Sequence, residues 1–161
     1  MKTIVFYIRE PIKVHQRFIY NQIIKLNQYR PIVIGPFPNS NNVQFPFEHY
    51  YNLNEIKNLG DFFKQHNVVA IHAHQGKHSI DILPTANKYG IPLIVNFRGR
   101  DSSTQTKERF LKNRDRYKSL LKHGAGYLVV CHFLAEGLKK LGFPTDKIHV
   151  LYGGIELNLV P

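Results

Sequence analysis

Short apolar runs of strand length alternate with amphipathic stretches along the whole chain, and this alternation predicts a β/α protein built on a parallel sheet. Residues 3–8 form the first run. Phe18, Ile19, Gln22, Ile23 and Leu26 then fall at helical spacing within a helix expected over 15–28, which Pro31 ends. Residues 32–35 read as the second strand, and 45–53 add a short one after a loop rich in Pro and Asn. Asn54 is placed to cap a helix reaching residue 66, with Ile56, Leu59, Phe62 and Phe63 as its buried stripe. Further strands are expected at 68–73, 92–97, 127–131 and 148–152. The helices between them span 79–89, with a kink at Pro84 and a stop at Gly90, then 104–123 and 133–141. In the 104–123 helix Phe110, Leu111, Tyr117, Leu120 and Leu121 face the sheet. The fold class is therefore α/β, doubly wound, with a mainly parallel sheet flanked by helices.

The 161 residues are 43% hydrophobic and 20% charged, which excludes disorder, collagen and coiled coil and fits a single domain, residues 1–161. The lone Cys131 cannot form an internal disulfide, so a reducing, cytoplasmic location is expected. No apolar run approaches the roughly 18 residues of a membrane span. The net charge of +11 is local in origin: nine basic residues against three acids lie between Arg98 and Lys122, a net +6. Such a run is either a solvated helix face or an attraction for phosphate, anionic lipid or nucleic acid. The chain lacks the signatures of RNP, KH and helix-turn-helix modules, and its aromatics sit at core spacing, so no nucleic-acid partner is expected. It also lacks a G-x-G-x-x-G and a P-loop after the first strand, so no cofactor is expected on this domain.

In doubly wound sheets ligands bind where strands end and loops begin. The polar residues at those ends are Arg9, Glu10, His15, Gln16, Arg17, His72, His74, Gln75, Gly76, Asn96, Arg98, Gly99, Arg100, Asp101, Cys131, His132, Gly153, Gly154 and Glu156. His72 and His74 point to one face of a strand and His78 follows four residues later. Zinc would demand a further carboxylate or thiol, for which Asp81 is the close candidate, and no metal is expected.

Three segments, taken together, resemble one family. HQRFIYNQIIKL is similar to S-E-T-F-I-x-x-Q-I-x-x-L. IHAHQG with PTANKYGIPLIVNFRGRD is similar to I-H-A-H-F-G followed by A-x-x-x-G-I-P-L-V-V-T-F-H-G-x-D. CHFLAEGLKKLGFPTDKIHVLYGGIEL is similar to S-x-F-L-x-x-x-L-x-x-L-G-x-P-x-x-K-I-x-V-x-x-x-G-V-D-L. The order and spacing of all three resemble the N-terminal half of GT-B glycosyltransferases of family 4, nearest the bacterial polysaccharide branch. The resemblance implies a Rossmann-like acceptor-side domain, with the donor-binding C-terminal domain beyond Pro161. It also implies sugar transfer, with retention, from a nucleotide-sugar donor to a glycan or lipid-linked acceptor.

By that resemblance Arg98 stands where the family has the histidine of F-H-G-x-D, beside the reacting carbon of the donor sugar. Arginine cannot act as a base, so Arg98 is expected as an electrostatic clamp, with Asp101 as its catalytic companion. A salt-bridged strand terminus is the structural alternative. Gly99 and Arg100 complete that turn and, with His15, Gln16, Arg17, His74, Gln75 and Gly76, are expected to bind the acceptor or substrate, His74 as a cleft residue above a satisfied His72. Gly153, Gly154 and Glu156 form a hinge-side turn. The expected partners are the acceptor, the donor domain and an anionic membrane surface, giving a cytoplasmic protein peripheral to the inner face. The alternative function is a nucleic-acid-binding or anionic-surface-binding module using the basic helix 104–123.

Overall fold

The computed structural model describes residues 1–102 and 104–153, with Arg100 described by its backbone alone. Seven strands form one all-parallel sheet: β1 (Thr3–Tyr7), β2 (Arg30–Gly35), β3 (Tyr50–Asn52), β4 (Val68–His74), β5 (Leu93–Phe97), β6 (Gly126–Val129) and β7 (Ile148–Val150). Their order is β3-β2-β1-β4-β5-β6-β7. The chain winds outward from β1 to β3 and then returns to lay β4 on the other side of β1. This reversal makes the carboxyl ends of β1 and β4 the switch point, where such sheets open a crevice.

The helices are α1 (Arg17–Ile24), α2 (Leu59–Gln65), α3 (Gly76–Lys88), α4 (Lys107–Arg116), α5 (Lys118–His123) and α6 (His132–Lys140). Alternation along the strands sends Val5, Tyr7, Ile71, Ala73, Val95 and Phe97 into the larger core, closed by side chains of α2, α3, α5 and α6. The opposite face carries Phe6, Ile8 and Val33 beneath Ile19 and Ile23 of α1, with Phe45 and Phe47 from the loop before β3. The same alternation puts His72, His74 and Asn96 on the α1 face, beside Phe6 in register. That face is where polar groups enter the interior.

Several boundaries differ from the sequence expectation. The helix expected over 15–28 is a 3-10 turn, Val14–Gln16, followed by the two-turn α1, and Pro31 lies inside β2. Asn58, not Asn54, caps α2: its side chain accepts from the N–H groups of Gly60 and Asp61. Asn54 instead donates its amide to the Pro36 carbonyl. Helix α3 starts three residues earlier than expected, at Gly76, and contains Pro84. The basic helix is two helices. Thr106 caps α4 by accepting from the Arg109 N–H, and the run breaks at Tyr117. That ring is fully buried, edge-on to Phe97 with centroids 5.3 Å apart. Leu111, expected to face the sheet, is 42% exposed, and Asn113 is the buried residue of α4.

Candidate functional site

The carboxyl ends of β4 and β5 are sewn together by one side chain. Asp101 follows β5 in a 3-10 turn, Gly99–Ser102, and its carboxylate Oδ2 accepts the Gly76 N–H while Oδ1 accepts the Arg98 N–H, both at 2.7 Å. The first of these bonds fixes the amino end of α3 against the β5 turn. Gln75, just before it, has φ 69° and ψ 123°, a backbone state that a residue with a Cβ adopts only when its surroundings impose it. Its N–H donates to the Asn96 carbonyl at 2.9 Å. Gly76 must be glycine because a Cβ there would enter the Phe97 ring. Gly99 has φ +65° with open space around it, so its requirement is conformational. Burial raises the Asp101 pKa to about 6 against the lowering effect of the backbone N–H groups and Arg98.

Arg98 lies across α1, its guanidinium carbon 3.8 Å from the centroid of the Phe18 ring. Burial lowers its pKa to about 10, partly offset by Asp101. No ion pair joins Arg98 to an acid among the described residues, so the salt-bridged terminus is not what forms. Beneath it the rings of His72 and His74 stack with centroids 4.7 Å apart, and Phe6 lies 5.1 Å from His72. His74, only 3% exposed, is a deeply buried residue that borders the small cavity at the end of β4, and both its ring nitrogens lack a hydrogen-bond partner. His72 is not satisfied either: its Nε2 has no partner. Burial, with Arg98 second, lowers the His72 pKa to about 4. His74 is held well below its ordinary value by burial, then by His72 and Arg98. Both rings are neutral at neutral pH.

Between the ends of β1 and β4 lies a small cavity of about 20 Å³, walled by Arg9, Glu10, Gln16, His74, Gln75 and His78 among others. It sits at the switch point. Arg9 pairs with Asp81 of α3 at 2.8 Å, and the Glu10 carboxylate lies 3.9 Å from Nε2 of His78, so α3 and the loop after β1 are tied on that side too. An open groove of about 690 Å³ adjoins it, lined by Glu10, Lys13, Val14, His15, Asn41 and Val43 among others. His15 lines this groove; Gln16 lines the small cavity and its side chain accepts the Lys13 N–H. Arg17 begins α1. Among the described residues no three His, Cys, Asp or Glu side chains gather as metal ligands.

The structure thus brings Gln75, Gly76, Arg98, Gly99 and Asp101 to one rim, with the backbone of Arg100 in the same turn. Gly153 is exposed beyond β7, while Gly154 and Glu156 lie outside the described residues. The sequence reading missed Phe18 as the platform for Arg98, and Lys13, Asn41 and Val43 as groove residues. Val43, an isolated apolar residue in a polar loop and 82% exposed, was the available signal.

A family model described as Glycosyltransferase Family 4 matches residues 17–159. No curated protein matches the chain. Among solved structures it is similar to Anabaena Alr3699/HepE in complex with UDP and glucose. The identity is 11% and the TM-score 0.70, over 99% of this chain and 46% of that one. It is also similar to Phytolacca americana UGT2 complexed with UDP-2fluoro-glucose and pterostilbene, at 12% identity and TM-score 0.57, over 100% of this chain and 55% of that one. At such identities the likeness shows the fold alone. The chain spans about half the length of these proteins.

Proposed function

Because this chain belongs to glycosyltransferase family 4 and has the fold of one half of a GT-B enzyme, we propose that it is the acceptor-side domain of a retaining glycosyltransferase. The sugar passes from a nucleotide-sugar donor, held mainly by a second domain, to a glycan or lipid-linked acceptor. The observation that supports this reading is the joined rim: one carboxylate, Asp101, locks the β4 and β5 turns so that Gln75, Gly76, Arg98 and Gly99 are held as a unit at the carboxyl ends of those strands, beside the switch point. The groove of about 690 Å³ beside it is large enough for a sugar unit and holds the acceptor. Asp101 acts as a positioning residue, because both its oxygens are engaged by backbone N–H groups. Arg98 stays protonated and stabilises negative charge across the crevice. Glycosyl transfer then requires the two domains to close and exclude water.

The test uses the protein of the complete reading frame with a panel of nucleotide sugars and glycan or polyprenyl-phosphate acceptors, reading nucleotide release and product anomer. Transfer with retained configuration is expected, together with glycan binding but no turnover by residues 1–161 alone. Robust transfer by residues 1–161 alone, or an inverted product, overturns the reading.

A further inference from the structure

A cation sits at the rim with no acid among the described residues in an ion pair with it. The guanidinium carbon of Arg98 stands 3.8 Å from the centroid of the Phe18 ring, a cation–π contact that holds the head group over that ring. Its Nε is shut from solvent and has no acceptor. The acid that acts on it electrostatically is Asp101, whose two oxygens already accept backbone N–H groups at 2.7 Å. The side chains under it, His72, His74 and Asn96, are uncharged or held uncharged by burial, and Nε2 of His72, both ring nitrogens of His74 and Oδ1 of Asn96 lack partners. Every one of these three is buried, His72 with 6%, His74 with 3% and Asn96 with 2% of its surface exposed. Arg98 itself remains partly exposed at the rim.

A planar guanidinium presents its donors as a fork that matches two oxygens of one carboxylate or phosphate. Fixing that fork on an aromatic plane removes much of the rotamer freedom that binding would otherwise cost. The neutral polar floor adds no competing charge. We propose that Arg98 is the specificity residue of this crevice for an oxyanion carried by the substrate, either the carboxylate of an acidic sugar or a phosphate, received bidentately. The inference rests on the crevice being a sugar-transfer site and names the charge of the group it takes.

The test is calorimetric titration of the full chain with glucose, glucuronate, inorganic phosphate and pyrophosphate at low ionic strength, repeated for Arg98→Gln and Arg98→Lys. The carboxylate source predicts that glucuronate binds about tenfold tighter than glucose; the phosphate source predicts binding of phosphate and pyrophosphate with the two sugars alike. In either case Arg98→Gln removes the preference, and Arg98→Lys, which keeps the charge without the fork, falls between. Wild-type protein that binds glucose and glucuronate alike and neither phosphate overturns the proposal without reference to any variant. So does a folded Arg98→Gln protein with unchanged affinities. Arginine-dependent oxyanion binding without glycosyl transfer by the complete protein would overturn the transfer reading and leave this one standing. Transfer whose kcat/KM is indifferent to Arg98→Gln would do the reverse.

Discussion

At the scale of single residues, the buried histidines and the buried carboxylate make stability depend on pH in opposite senses. His72, lowered to about 4 by burial and then Arg98, stabilises the fold as a neutral base; its contribution is complete above the unfolded value of 6.5 and is lost as pH falls through about 4. His74 is lowered for the same leading reason and acts in the same direction. Asp101, raised to about 6 chiefly by burial, contributes fully below 3.8, and its contribution is lost as pH rises through about 6. Two histidines outweigh one carboxylate, so acidification from pH 6.5 to 4 is expected to destabilise the protein. His72→Leu should reduce that loss by on the order of 3 kcal/mol, read from urea midpoints at the two pH values. An unchanged pH slope would mean that the ring is hydrated in the fold. Asp101→Asn turns an amide N–H₂ toward one backbone donor and should cost about 1–3 kcal/mol at pH 7, measured by chemical denaturation. This last role is not legible along the chain, because the partner N–H of Gly76 lies 25 residues from Asp101 and reaches it only through the pairing of β4 with β5. For His74 the strand alternation was legible, but which face lay under α1 was not, and so the depth of its burial beside the cavity could not be read along the chain.

At the scale of elements, strands were legible and helix ends were not. A nearly continuous apolar run such as Leu93–Phe97, interrupted only by Asn96, leaves little choice for a strand buried on both faces. Helix starts depend on which of several polar residues finds the free N–H groups, and Asn54 and Asn58 compete for one helix. The structure assigns the cap to Asn58, so Asn58→Ala should cost about 1 kcal/mol and Asn54→Ala clearly less in parallel thermal melts. Equal losses would place the helix start at the earlier residue. The break at Tyr117 was hidden for a related reason: helical periodicity continues smoothly through it, and only the burial of that ring between Phe97 and Phe143 reveals the turn. The break also explains the exposure of Leu111, since α4 is freed from the direction that α5 must take along the sheet.

At the scale of the molecule, the charge is asymmetric. Lys107, Arg109, Lys112, Arg114, Lys118 and Lys122 are all exposed on α4 and α5, and of these Lys118 is paired with Asp115 at 2.6 Å. No helix among the described residues is long and apolar enough to cross a membrane. A surface of this kind should hold the protein to vesicles of anionic lipid, at about 1 kcal/mol for each cation near the bilayer. Co-sedimentation is expected with phosphatidylglycerol vesicles at low salt, to be lost at high salt, and to be absent with zwitterionic vesicles; binding that ignores both lipid charge and salt would dismiss the surface role.

An all-parallel sheet also gives the molecule a front and a back. Every strand finishes on the side of the crevice, so the short connections entering β4, β5, β6 and β7 gather on the far side. A fluorophore, an affinity handle or a surface tether placed at exposed Ala125 would leave the crevice side untouched, and could orient the protein on a sensor with that side outward, whereas the neighbouring Asn67 and Gly90 hold positive φ and are poorer sites.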